Sequence, residues 1–123
     1  MHSDYNYEVE ESLLLEAEAF PYHRFMNISG HVNMRKIKQL HPDFQQDALN
    51  LIFIRKAVSV HHNTYGYALV EYKSMNQYVY IICKEHGRFK QTARVHIAGS
   101  GCQQCAIARR AKKAMESNLE GNV

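Results

Sequence analysis

An α+β fold is what this sequence predicts: N-terminal helices packed on a β-hairpin module that ends in a C-terminal helix. Three observations carry that expectation. All three cysteines fall in one stretch with a histidine, as Cys83-x-x-His86 and Cys102-x-x-Cys105, fifteen residues apart. A two-residue gap turns both side chains of such a knuckle onto one ion, and three thiolates with one imidazole fill a tetrahedral zinc shell. Residues 65–82 and 89–97 alternate in the manner of strands, with aromatic and β-branched side chains. Flanking stretches instead repeat their apolar residues at three- and four-residue steps, as helices do. A knuckle, a hairpin and a helix whose first turn supplies the last two ligands make a module of treble-clef type.

The elements follow in order. Residues 7–20, YEVEESLLLEAEAF, read as an acidic helix with Leu13, Leu14, Ala17 and Phe20 available to one face. Pro21 ends it, because the residue before a proline avoids the helical region. The segment up to Pro21 holds six acids and no Lys or Arg, so it either packs its leucines on the module or serves as a detachable acidic arm that docks on a basic surface. Residues 27–30 read as a turn, and residues 32–40 as helical with Ile37 and Leu40 inward. His23 and His31 stand alone on polar segments, the setting of surface histidines and not of ligands.

Pro42 marks a boundary, and Asp43 with Gln46 resembles a capping box. The helix expected over residues 44–60 repeats Leu49, Ile52, Phe53, Ala57 and Val60 toward one side, which makes it the central core helix. Residues 65–82 are strand-like with a polar turn at 73–77, and five of the eight tyrosines lie there. Cross-strand packing accounts for them; base stacking beside basic residues is the alternative.

Between the knuckles the alternation predicts a short hairpin. Phe89, Gln91, Ala93, Val95 and Ile97 take one side, and Arg88, Lys90, Thr92, Arg94 and His96 the other. The second knuckle leads into AIARRAKKAMESN, residues 106–118, where Ile107, Ala111, Ala114 and Met115 are expected inward. A helix N-terminus favours thiolates, a physical reason for Cys102 and Cys105 to stand there. The expected organisation is an acidic helical region over residues 1–43, the helix and zinc module over 44–118, and a tail over 119–123.

Residues 51–105 resemble a small zinc module of phage and mobile-element proteins that often stands beside homing-type endonuclease domains. The residues carrying the resemblance are FIRKA at 53–57, HHNTYGY at 61–67, IICKEHGRF at 81–89 and QTARVHIAGSGCQQC at 91–105. Asn63 stands where glycine is usual, Tyr65-Gly66-Tyr67 lacks the usual Asp, and Ala93 and Gln103 replace prolines. None of these departures removes a ligand. The resemblance implies a zinc-stabilised module associated with nucleic-acid transactions, and does not by itself imply catalysis.

Charge sets the expectation about partners. Residues 1–50 carry eight acids against four Lys or Arg, a net of −4, and residues 51–123 carry four against eleven, a net of +7. The basic half is the module half, the sign required for phosphate contact. Arg88, Lys90, Arg94, Arg109, Arg110, Lys112 and Lys113 are the candidate binding residues. No run approaches the ~18 apolar residues of a membrane span. The start, MHSDYNYEVEES, lacks the apolar stretch of a signal peptide. Thiols kept as ligands belong to a reducing compartment, so a cytoplasmic protein is expected.

The leading functional expectation is a small protein with one structural zinc, phage or mobile-element encoded, that contacts nucleic acid or a nucleic-acid-processing complex through its basic face. An inhibitor or adaptor that grips a host protein, with the zinc module as scaffold, is the alternative. A metal-dependent nuclease built on His61-His62 is the weakest. Such a site needs a second ion-holding Asn or His on the following helix, where this chain has Arg109, Arg110, Lys112 and Lys113.

Overall fold

The computed structural model describes residues 4–121, side chains through residue 115. It is α+β, with N-terminal helices, a three-stranded antiparallel sheet and a C-terminal helix. Helix α1 spans Tyr7–Ala19, α2 Met34–Ile37, α3 Pro42–His61, α4 Ala93–Ile97 and α5 Gln103–Gly121. Strands β1 (Tyr65–Gly66), β2 (Tyr78–Cys83) and β3 (Gly87–Thr92) lie in the order β1-β2-β3.

Local chemistry sets the helix ends. Asn6 caps α1 by accepting the Val9 N–H, and Phe20 turns extended before Pro21. Asn33 caps the single turn of α2, much shorter than residues 32–40, by accepting the N–H groups of Arg35 and Lys36. The capping box expected at Asp43 is not formed. Pro42 occupies the first turn of α3, and the His41 ring accepts the Asp43 N–H at 3.2 Å.

Helix α3 is the centre of the molecule. Ala48, Leu49, Ile52, Phe53, Ile54 and Ala57 are buried, and α1, α2 and α4 pack on it. Burial of Ile54 beside Phe53 widens the face beyond one stripe, because α3 is covered from more than one side. Val60, expected inward, is exposed. Phe53 stacks on Tyr72 (centroids 5.4 Å apart) and meets Tyr67 edge-on, joining α3 to Val79 and Ile81 in one core. The leucines of α1 do pack: Ala17 is buried, and Leu13, Leu14 and Phe20 lie against the same core.

Two strand expectations are corrected. Within residues 65–77 only Tyr65 and Gly66 pair, with Cys83 and Ile82. The rest runs irregularly because side chains satisfy its backbone. Glu10 accepts the N–H groups of Tyr67 (2.6 Å) and Ala68 (3.1 Å). Asn50 accepts the Tyr72 N–H, and Gln46 donates to the Tyr72 carbonyl, both at 2.8 Å. The second correction concerns residues 89–97. The hairpin is β2–β3, so the first knuckle is its turn, and Thr92 ends β3 by capping α4. Arg94 and His96 therefore stand on a helix, and strand alternation does not align them with Arg88 and Lys90.

Candidate metal centre

The first knuckle occupies the β2–β3 turn. Cys83 is the last residue of β2, and Gly87 opens β3 at φ +81°, a left-handed conformation that closes so tight a turn with no Cβ in the way. The second knuckle begins α5. The Cys102 carbonyl accepts the Ala106 N–H, so Cys102 sits at the cap and Cys105 in the first turn.

The two knuckles meet. Cys83, His86, Cys102 and Cys105 offer ligand atoms that all lie within 4.8 Å of one another. The Cys83 and Cys105 sulfurs are 3.5 Å apart, and His86 Nδ1 lies 3.5, 3.5 and 3.2 Å from the sulfurs of Cys83, Cys102 and Cys105. A tetrahedron with Zn–S of ~2.3 Å and Zn–N of ~2.0 Å has S···S edges of ~3.8 Å and N···S edges of ~3.5 Å. The donor set therefore has the size and chemistry of a closed four-ligand shell for one structural ion.

Electrostatics point the same way. Burial pushes the Cys83 thiol up, but the N–H groups of Glu85 and His86, then the His86 ring and the Cys105 thiol, outweigh it and bring it down to about 7. Burial, with the Cys83 and Cys102 sulfurs beside it, pushes Cys105 up to about 12. Thiols this close cannot all ionise alone, and a divalent cation between them reverses that penalty.

A second layer fixes the ligands. The Tyr65 hydroxyl accepts the Cys102 N–H at 3.0 Å, and Gly101 is needed there because an added Cβ would stand 2.0 Å from that oxygen. His96 is 0% exposed and stacks on His61 (centroids 4.1 Å apart). Its Nδ1–H donates to Gln91 Oε1 and the Ser100 carbonyl, while Nε2 accepts from the Tyr67 hydroxyl, all at 3.0 Å. Gln91 donates onward to the Gly101 carbonyl. Burial, then His61, lowers His96 to about 4, which keeps it neutral in this tautomer. His96 is thus the keystone of the loop that delivers Cys102, and lies outside the ligand shell.

Among the described residues the other histidines do not join the cluster. His31 contacts Ser29, His23 packs on Tyr22, and His61 Nε2 lies 2.7 Å from the His96 carbonyl. The candidate basic residues all reach solvent: Arg88 and Lys90 on β3, Arg94 on α4, and Arg109, Arg110, Lys112 and Lys113 on α5. Arg88 also meets the Asp4 carboxylate through its N–H (3.3 Å) and Nε (3.4 Å), so the acidic N-terminal segment lies against the basic hairpin. Beyond Ala106 the expected burial of α5 is overturned. Residues 107–115 are all exposed, including Ile107 at 53% and Met115 at 67%, and the helix stands clear of the core. What sequence reasoning missed was the supporting role of Tyr65, Gln91 and Gly101. The signal lay in the shared motif, whose glutamine, histidine and glycines have no place in the ligand count.

No curated protein and no solved structure matches the chain. From the second half of α3 to the first turn of α5, residues 50–106, the chain is similar to a family described as a protein of unknown function (DUF723), and that stretch contains all four residues of the cluster.

Proposed function

We propose that the chain is a zinc-stabilised, non-catalytic module that binds nucleic acid through its basic face. The observation that carries this is α5. A helix anchored at its first turn by two ligands projects Arg109, Arg110, Lys112 and Lys113 into solvent, with no acid between residues 103 and 115. A cationic helix held away from its own core suits contact with phosphates. Zinc at the four-ligand site supplies a crosslink and leaves no coordination position for water. His61 contacts a backbone carbonyl, which argues against a catalytic base there. The resemblance to phage and mobile-element modules supports the same reading. No helix among the described residues is long and apolar enough to cross a membrane, and the thiol ligands favour a cytoplasmic setting.

The test is Arg109→Ala, Lys112→Ala and Lys113→Ala in one chain, titrated against duplex and single-stranded DNA and RNA across a salt series. Loss of about three phosphate contacts lowers the slope of log affinity against log salt by about 2.7. Absence of binding by the wild type at low salt sinks the reading. The alternative is an adaptor for a host nucleic-acid-processing protein. It draws on the exposed Ile107, Ala111 and Met115, one turn apart along α5, which suit an apolar groove on a protein.

A further inference from the structure

The outer face of the β2–β3 hairpin is unlike the rest of the sheet. Register sets Tyr78 opposite Thr92, Tyr80 opposite Lys90 and Ile82 opposite Arg88. Val79 and Ile81 turn into the core, whereas Tyr78 and Tyr80 are 62% and 49% exposed. Three of the buried tyrosines have inward work. Tyr65 accepts from Cys102, Tyr67 bonds His96, and Tyr72 stacks on Phe53. Tyr78 and Tyr80 instead offer rings to solvent from one side of one strand.

Cations surround them. Lys90 Nζ lies 5.1 Å from the centroid of the Tyr78 ring. An open groove of about 450 Å³ beside the rings is lined by Tyr78, Tyr80, Gln77, Lys73, Arg88 and Glu71. Lys73 contacts Gln46, a neutral partner. Glu71 and Asp4 are the acids on this side, against Lys73, Arg88 and Lys90.

From this juxtaposition we infer that the outer hairpin face is a stacking platform for single-stranded nucleic acid. Two bases lie on Tyr78 and Tyr80, and Lys90 and Lys73 meet the phosphates. The inference rests on the nucleic-acid reading above and narrows it to one ligand class. Two residues along a strand span about 6.6–6.8 Å. That is twice the ~3.4 Å between nucleotides of a stacked strand. Bases seated on both rings are therefore drawn apart, which a single strand permits and a duplex, with its bases inside the stack, does not. Stacking on a ring does not depend on which base is stacked, so sequence tolerance follows.

The experiment uses the full chain with a labelled oligothymidine and a duplex of the same length. Tyr78→Ala and Tyr80→Ala should each weaken single-strand binding about 5- to 150-fold and leave duplex binding unchanged. Tyr78→Phe and Tyr80→Phe should bind as the wild type does, since the ring is what stacks. The chain has eight tyrosines and no tryptophan, so tyrosine emission is directly observable. Oligothymidine should quench it in the wild type and much less in the double alanine variant. Wild-type affinity in both alanine variants, alongside lost binding in the α5 triple variant, overturns the platform while the broader reading stands. Phe variants as weak as the Ala variants also overturn it. A wild type that binds neither strand form overturns both.

Discussion

Replacing Cys105 with serine isolates the contribution of the metal to stability. Cys105 is half-buried, and serine fits its space, so the cost comes from the lost ligand and not from packing. An ion held by the four side chains would tie Cys83 to Cys105 across 22 residues. In a chain-entropy treatment, closing a loop of that length stabilises the folded state by about 3 kcal/mol. For a domain of this size that is roughly 10 °C of Tm. This is the lower bound. Structural zinc in small peptides contributes about 10–16 kcal/mol of apparent binding energy, against about 5–15 kcal/mol of total stability for a domain. Helix α5 should suffer first, because residues 107–115 bury nothing and an isolated helix is marginal in water. It holds 19 helical residues against 20 in α3 and 13 in α1, so its melting removes roughly a third of the far-UV helical signal. Elemental analysis should give one zinc per wild-type chain, and Cys105→Ser or chelation should lower both Tm and helicity by these amounts. A variant that melts within a few degrees of the wild type, with helicity intact, would refute the role of the site.

Two further outcomes follow from the layer behind the ligands. Tyr65→Phe strips the acceptor from the buried Cys102 N–H and should cost about 1–3 kcal/mol in urea unfolding with the m-value unchanged; a neutral result would show that the hydroxyl is dispensable. His96, held neutral at about 4 by burial, contributes stability that is complete above about 6.5 and is lost as pH falls toward about 4, some 3 kcal/mol in total. Metal ligands also take up protons in acid, so the measurement is the difference between wild type and His96→Asn over that window, with metal content followed in both. Equal slopes would exclude His96 as the source, and metal loss from His96→Asn but not from His86→Ala would reassign the ligand.

The Cys/His cluster was legible because knuckle spacing is a local property: two knuckles need only four residues each. Helix α3 was legible for a similar reason, since Leu49, Ile52, Phe53 and Ala57 repeat at the helical period. What the sequence hid was the choice among partners. Ala93, Val95 and Ile97 suit a strand as well as Ala93 and His96 suit one helical face, and the Thr92 side chain decides by accepting the Val95 N–H. Residues 67–77 alternate like a strand, yet Glu10, Gln46 and Asn50 take the hydrogen bonds a neighbouring strand would have taken. On α5 the apolar spacing of Ile107, Ala111 and Met115 promised a buried face, and periodicity alone cannot say whether anything lies opposite.

The clasp at the N-terminus has a consequence for how the chain is made. Glu10 seals against Tyr67, 57 residues downstream, and Asp4 against Arg88, 84 residues downstream. Doubling a loop costs only about 0.6 kcal/mol, so distance is no great obstacle at equilibrium. Order of synthesis is another matter. The acidic segment leaves the ribosome before its partners do: the amides that donate to Glu10 emerge only after all of α3 has passed, and Arg88 after the first knuckle. The Glu10 and Asp4 contacts therefore close only after α3 and the first knuckle have emerged, whereas the leucines of α1 can meet α3 earlier.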